Sequence, residues 1–350
     1  MKQEEKIKMF NDVFAPQNGE KVLFLIDQPH DEIIDNNIWK DRREMVKDWI
    51  NTFKILGTEK GFTVNKLEYK ATGVHNSPIP QEVIDNVKKS NLVIAMTEFS
   101  ATSTLFPLCK SENSNTRCTS MPGVERRMEE TAFKADYVEV KRYSHAIEKM
   151  LNKTIGAEVL FSTGDKLYID LRNRVAKSDA GDCTKIGQTI NFPSGEGCKP
   201  PYEAASDEID EFGESKTEGI MPVGYSEGII KFVIKNNKIT EVIGDIKKAE
   251  EMRKFFEKDE THRNIAELGI GCNPKAVVTG NILEDEKVGG LHIAYGMSSF
   301  LGGKIKSDMH QDICYPKGSS VEAKTLTLIN IDGSKTELIK DSNLRYEILI

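Results

Sequence analysis

Met309-His310-Gln311-Asp312-Ile313 places an imidazole and a carboxylate two residues apart. In a strand, residues two apart share a face, so His310 and Asp312 would stand side by side as metal donors. The same spacing also describes the wet face of a surface strand. His292 sits in Gly289-Gly-Leu-His-Ile-Ala-Tyr-Gly296, one imidazole inside an apolar run bracketed by glycines. It is either a core histidine with satisfied ring nitrogens or a ligand. Asn264-Ile-Ala-Glu267-Leu-Gly-Ile-Gly271 embeds a carboxylate among apolar residues. A charge buried there has to be paired, hydrogen-bonded or metal-bound; otherwise Glu267 points out of an amphipathic segment. Asn191-Phe-Pro-Ser-Gly-Glu196-Gly197 is a Gly/Pro loop leaving a strand with an acid at its tip, and loops at strand ends often carry function. Together Glu196, Glu267, His292, His310 and Asp312 fit a pair of divalent ions that share bridging carboxylates. Cys272 and Cys314 lie near these residues in sequence and are either soft ligands or inert buried thiols. The chain has no G-x-G-x-x-G, no G-x-x-x-x-G-K-[ST] and no H-E-x-x-H, so nucleotide and zincin chemistries lack their motifs.

The elements that must position these groups change character along the chain. Lys21–Asp27 and Asn91–Met96 are continuous apolar runs, expected for strands covered on both faces. Phe62–Tyr69 alternates like a strand. Arg42–Gly57 has helical spacing at Met45, Val46, Trp49, Ile50, Phe53 and Leu56, with Gly57 as the expected stop. Pro80–Ser90, Val124–Ala135 and Ser144–Leu151 read as helices, and Tyr137–Val140 as a strand. Strands alternating with helices predict a three-layer α/β domain with a mostly parallel sheet. Beyond about residue 155 the pattern becomes one of short strands: 157–162, 166–171, 187–192, 228–235, 238–243, 325–331 and 336–339. Lys235-Asn-Asn-Lys238 is an expected hairpin turn, and 246–259 an expected helix. The reading is an α/β domain over 1–154 followed by an α+β domain over 155–350 that carries the metal site.

Composition narrows the function classes. With 38% hydrophobic residues among 350, the chain can bury a sizeable core and is not a disordered protein. Its 48 Lys+Arg against 55 Asp+Glu give a net charge of -7, which argues against nucleic acid and anionic membranes as partners. No apolar run reaches the ~18–20 residues of a membrane span. The N-terminus is charged and lacks the apolar stretch of a secretory signal. Six cysteines without a C-x-x-C pair suit reduced thiols. The expected setting is cytoplasmic.

The series Asn-Phe-Pro-Ser-Gly-Glu196, Ala-Glu267-Leu-Gly-Ile-Gly-Cys-Asn-Pro274, Leu-His292-Ile-Ala-Tyr-Gly296 and His310-Gln-Asp312 resembles the thermophilic metalloaminopeptidases, the family of aminopeptidases T and S. The resemblance extends from about 155 to 315, with a looser fit of the α/β domain. It implies that Glu196, Glu267, His292, His310 and Asp312 ligate two divalent ions (Zn, Co or Mn), with Glu196 or Glu267 as the proton shuttle. It further implies hydrolysis of N-terminal peptide bonds, a short peptide or other small molecule as substrate, and a homodimer. Two positions depart from the family pattern. A tyrosine important for catalysis would fall at Ser299, and Gly-Cys follows Glu196 where an apolar pair is usual. A divergent branch of the family includes a dihydroxypyridine ring-cleaving dioxygenase with one Fe(II) on two His and one Asp. His310 and Asp312 suit either branch, and Glu267 matches the hydrolase set. A metal-binding homologue without turnover is the third reading.

Overall fold

The computed structural model describes residues 1–30 and 32–350. The chain forms two compact units: Met1–Lys141, Asp179–Ser194 and Pro274–Glu284 make the first, and Arg142–Ser178, Gly195–Asn273 and Asp285–Ile350 the second. This differs from a single boundary at 154/155. The first sheet recruits Thr189–Asn191 as a further parallel strand beside Arg117–Ser120, which draws 179–194 back into the first unit. The change-over at 141/142 falls inside the helix Tyr137–Leu151.

The first unit is a five-stranded parallel sheet, ordered Thr63–Lys70, Lys21–Gln28, Leu92–Ala95, Arg117–Ser120 and Thr189–Asn191. Helices cover both faces. Val22, Phe24 and Ile26 pack with Trp49 and Phe53 on one side. Leu23 and Leu25 pack with Val83, Val87 and Leu105 on the other. The long helix Asn37–Lys60 starts where the Asn36 side chain accepts a hydrogen bond from the Trp39 amide, and it ends at Gly61, whose φ of 82° is left-handed. Gly57 is therefore interior to the helix and does not stop it. It is small because Phe62 folds back onto it, and a β-carbon at Gly57 would stand 2.7 Å from the Phe62 carbonyl oxygen. Tyr137–Val140 is the first turn of a helix, not a strand. Val140, Ser144, Ile147 and Leu151 are all buried, and that i, i+4, i+7, i+11 spacing overrides a short β-favouring run. Val124–Ala135 forms two short 3-10 turns, Arg126–Glu130 and Ala132–Lys134, because Thr131 between them leaves the helical region.

The second unit holds two sheets around one core. An eight-stranded antiparallel sheet runs in the order Lys238–Ile243, Gly228–Lys235, Glu218–Tyr225, Lys166–Asp170, Thr154–Phe161, Ala323–Asn330, Lys335–Lys340 and Asn343–Leu344. The expected hairpin at Asn236-Asn237 is present, with φ of 49° and 65°. Helix Lys247–Lys258 buries Ala249, Met252 and Phe256 against the core. The second sheet has five strands, ordered His310–Cys314, Gly290–Gly296, Ile265–Gly271, Glu196–Lys199 and Lys177–Asp179. Four of its strands carry Glu196, Glu267, His292, His310 and Asp312. Among the described residues, no helix is long and apolar enough to cross a membrane.

Candidate metal centre

Antiparallel register lays the five predicted residues out as a grid on one face of the second sheet. Asp312 pairs with Ala294, and Ala294 with Glu267. One row along, Cys314 pairs with His292, His292 with Gly269, and Gly269 with Cys198. In the next row Gly290 pairs with Gly271, and Gly271 with Glu196; His310 pairs with Gly296 at the far end. Ala294, Gly269 and Gly271 leave space for the long side chains beside them. The clearest case is Gly269: a β-carbon there would overlap the His292 ring, reaching within 2.5 Å of Cδ2. Alternate residues Leu268, Ile270, Leu291 and Ile293 point the other way, into the core.

Glu267 reaches the polar face through a bulge. The register slips between Ile265 and Glu267, so Ile265 pairs with Tyr295 while Glu267 pairs with Ala294. With strict alternation Glu267 would share the core-facing side of Ile265; the extra residue, Ala266, turns it over.

The side chains converge. Glu267 Oε2 is 3.0 Å from His310 Nε2, which is 3.4 Å from Asp312 Oδ1. Glu267 Oε1 is 3.5 Å from His292 Nε2, which is 3.4 Å from Glu196 Oε2. The donor atoms of Glu196, Glu267 and His292 lie within 4.8 Å of one another, as do those of Glu267, His310 and Asp312. Two donors each ~2.1 Å from one tetrahedral ion would stand about 3.4 Å apart, so both groups have the spacing of a cation site, with Glu267 common to both. The tautomer of His310 sharpens this fit. Its Nδ1 lies 2.6 Å from the Met297 carbonyl oxygen. A carbonyl only accepts, so Nδ1 carries the hydrogen, and Nε2 faces two carboxylates with a lone pair unless a cation stands between them. Metal-free, that cation is a proton. Against the opposing effect of burial, Glu267, Glu196 and Asp312 raise His292 to about 9. His310 is likewise raised, by Asp312 and Glu267. Glu267, which burial alone would raise, is held well below the usual carboxylate range by the two imidazoles.

The loop that supplies Met297 is held from below. Glu203 accepts from the Ser298 hydroxyl, from the Lys304 amide at 2.7 Å and from Arg174 Nη2 at 3.1 Å. Asn264 donates to the Gly296 carbonyl at 3.0 Å. The loop also carries Phe300, 54% exposed, whose ring stands edge-on to His310 at 4.9 Å between centroids. Ser299 lies in the 3-10 turn Ser299–Leu301. Tyr295, the nearest tyrosine in sequence, faces the core beside Phe232 and Phe256.

Three features went unread in the sequence. Lys287 has a fully buried side chain, and its Nζ is 2.7 Å from Glu196 Oε1 and 2.8 Å from Glu286 Oε1. Burial pushes Glu286 up to about 8, against the pull of the Lys287 ammonium. The run Glu284-Asp-Glu-Lys287 has the composition of a solvated loop; only its proximity to the glycine-rich strand hinted otherwise. Cys198 shares the polar face, and burial together with Glu267 and Glu196 raises its thiol far above its ordinary value. Of the cysteines proposed as soft ligands, Cys314 sits beside His292 on this face. Cys272 belongs to the core, with its sulfur 3.3 Å from the Ser144 hydroxyl.

No protein-family model matches the chain, and no curated protein is similar in sequence. Among the solved structures similar in three dimensions, two are informative. One is 2,5-dihydroxypyridine dioxygenase from Pseudomonas putida KT2440, with a TM-score of 0.68 and 15% identity over 99% of this chain and 98% of that one. The other is wild-type AmpT, an aminopeptidase T, from Thermus thermophilus, with a TM-score of 0.62 and 14% identity over 98% of each chain. At such identities the likeness is one of fold. The chain has the α/β plus α+β architecture of aminopeptidase T, and both branches of the expected resemblance are among its structural neighbours.

Proposed function

We propose that the protein is a metal-dependent hydrolase that removes N-terminal residues from short peptides. The observation that carries this reading is the meeting of His310 Nε2, Glu267 Oε2 and Asp312 Oδ1 around a point where Nδ1 is already committed to Met297. Oxygen-rich donors with imidazole suit Zn, Mn or Co and redox-neutral chemistry. A divalent ion held by Glu267, His310 and Asp312 would activate water and polarise a carbonyl. The chain's own groups do the rest. Met297 fixes the orientation of the His310 ring, and Glu267 ties the two donor groups together. The half-buried Glu286 carboxyl, with its raised pKa, can hold a proton near neutral pH and hand it on. In this proposal Glu267, His310 and Asp312 hold the ion, Glu196 and His292 flank it, and the expected homodimer belongs to the proposal as well.

A second reading, an Fe(II) ring-cleaving dioxygenase, draws support from the exposed Phe300 ring beside His310, an apolar wall suited to an aromatic substrate, and from the fold shared with the dihydroxypyridine enzyme. Elemental analysis of protein purified without added metal, followed by peptide and dihydroxypyridine assays with and without oxygen, separates the two. Anaerobic release of an N-terminal residue supports the hydrolase. One iron per chain and oxygen uptake with an aromatic diol, without peptide cleavage, would replace it with the dioxygenase.

A further inference from the structure

Lys287 occupies an unusual place for a lysine. Its side chain is fully buried, and the ammonium lies between two carboxyl groups, 2.7 Å from Glu196 and 2.8 Å from Glu286. Glu196 is also one corner of the group it forms with Glu267 and His292. One Glu196 oxygen therefore hydrogen-bonds a fixed positive charge, while the other faces His292 at 3.4 Å.

The backbone leaves this lysine little room to withdraw. The segment 286–288 lies directly on Gly271, where a β-carbon would stand 2.5 Å from the Glu286 carbonyl oxygen and 2.8 Å from the Lys287 carbonyl carbon. The Asn273 amide donates to the Lys287 carbonyl at 2.9 Å. Gly271 is the cross-strand partner of Glu196, so the glycine that admits the segment also sets the lysine against that carboxylate. At the other end, among the described residues, Glu267 and Asp312 form ion pairs with histidines alone.

We propose that Lys287 is a built-in cation standing in for a second divalent ion at the Glu196 end of the centre, so that the protein holds one divalent ion, at Glu267, His310 and Asp312. The inference rests on the metalloenzyme reading above and deepens it. A dication between Glu196, Glu267 and His292 would share a carboxylate with the ammonium, and the two like charges would repel at short range in a poorly solvated pocket. The ammonium satisfies Glu196 without that repulsion. Glu196 is then a counter-ion to Lys287, and His292 a donor that orients Glu267.

Metal stoichiometry tests this apart from any activity. Dialysed full-length protein is titrated calorimetrically with Zn²⁺ or Mn²⁺, and bound metal is counted by elemental analysis. The wild type is expected to take up one ion per chain. Asp312→Asn should weaken it by at least about tenfold, while Glu196→Gln should change its affinity by less than about threefold. Lys287→Met should bind two. Two ions in the wild type would overturn the proposal. So would an ion lost in Glu196→Gln but kept in Asp312→Asn, or a folded Lys287→Met variant that still binds one. If circular dichroism shows Lys287→Met to be unfolded, Lys287→Gln replaces it, and the wild-type count with the Glu196 and Asp312 pair decides by itself. A wild type that binds no ion would sink the metalloenzyme reading itself, an outcome distinct from a count of two.

Discussion

Gly269→Ala adds one methyl group at the centre of the site and nothing elsewhere. The backbone there is ordinary strand, so the variant carries no conformational strain; the whole effect is space. The new carbon would stand 2.5 Å from His292 Cδ2 and closer still to Cε1 and Nε2. Ordinary carbon contacts are about 3.5–4.0 Å, so the ring has to retreat by at least about 1 Å. It is 2% exposed, and retreat means disturbing packed neighbours at a cost of ~1–3 kcal/mol. The same movement takes Nε2 away from Glu267 and Glu196. A misplacement of about 1 Å in such a site lowers turnover roughly 100-fold. Urea denaturation and peptidase assays read the two effects. The double variant Gly269→Ala/His292→Ala supplies the control: without the ring, the methyl should cost at least ~1 kcal/mol less than in the wild-type background, a coupling of the size expected for direct contact. Equal costs in both backgrounds, or a fully active Gly269→Ala protein, would refute the claim that this glycine exists to house the imidazole.

Glu203→Ala removes the carboxylate that anchors Ser298, Lys304 and Arg174. Urea denaturation should show a loss of about 3 kcal/mol, and calorimetry weaker metal binding as Met297 loses its hold on His310. Tyr295→Phe should leave metal content and kcat/KM within about twofold, since that ring lies in the core; a large kinetic loss would mean that its hydroxyl reaches the site. Burial lowers Lys199, 3% exposed, to about 8. Below that pH the lysine is charged in both states and bears its burial penalty. Between about 8 and the usual 10.5 only the unfolded chain still binds the proton, so stability should rise with pH, by up to about 3 kcal/mol. Lys199→Met should remove that rise in denaturation midpoints compared across pH 7 to 10.5.

Much of the site could be read from residue types because it is made within a sheet. His310 and Asp312 share a face by alternation alone, and the glycines around His292 and Glu267 mark where side chains need room. Period-two reasoning could not foresee the bulge at Ala266, which decides the side on which Glu267 emerges, and in doing so it reverses the alternation with Ile265. Lys287 escaped for a different reason. A lysine among acids in a polar run has the composition of solvent-exposed chain, and only Gly271 across the sheet reveals that the run lies on the site face. In the first unit the strands were evident from their apolar runs, but Tyr137–Val140 and Gly57 were decided by packing over longer distances. The helix Gln3–Val13 was obscured by its charge, although Met9, Phe10 and Val13 are buried.

The interleaving of the two units has a bearing on how the chain is made. The backbone passes between them five times, since each consists of three separate segments. The strand Thr189–Asn191 closes the edge of a sheet begun at Lys21, and Pro274–Glu284 is still needed after that. A chain emerging from the ribosome N-terminus first cannot complete its first unit until most of its length has been synthesised. Until Thr189–Asn191 has been made, Arg117–Ser120 is an exposed edge strand, the kind of surface on which unfinished chains associate. For the same reason no single cut yields a self-sufficient half, so the metal centre is inherited only with the entire chain.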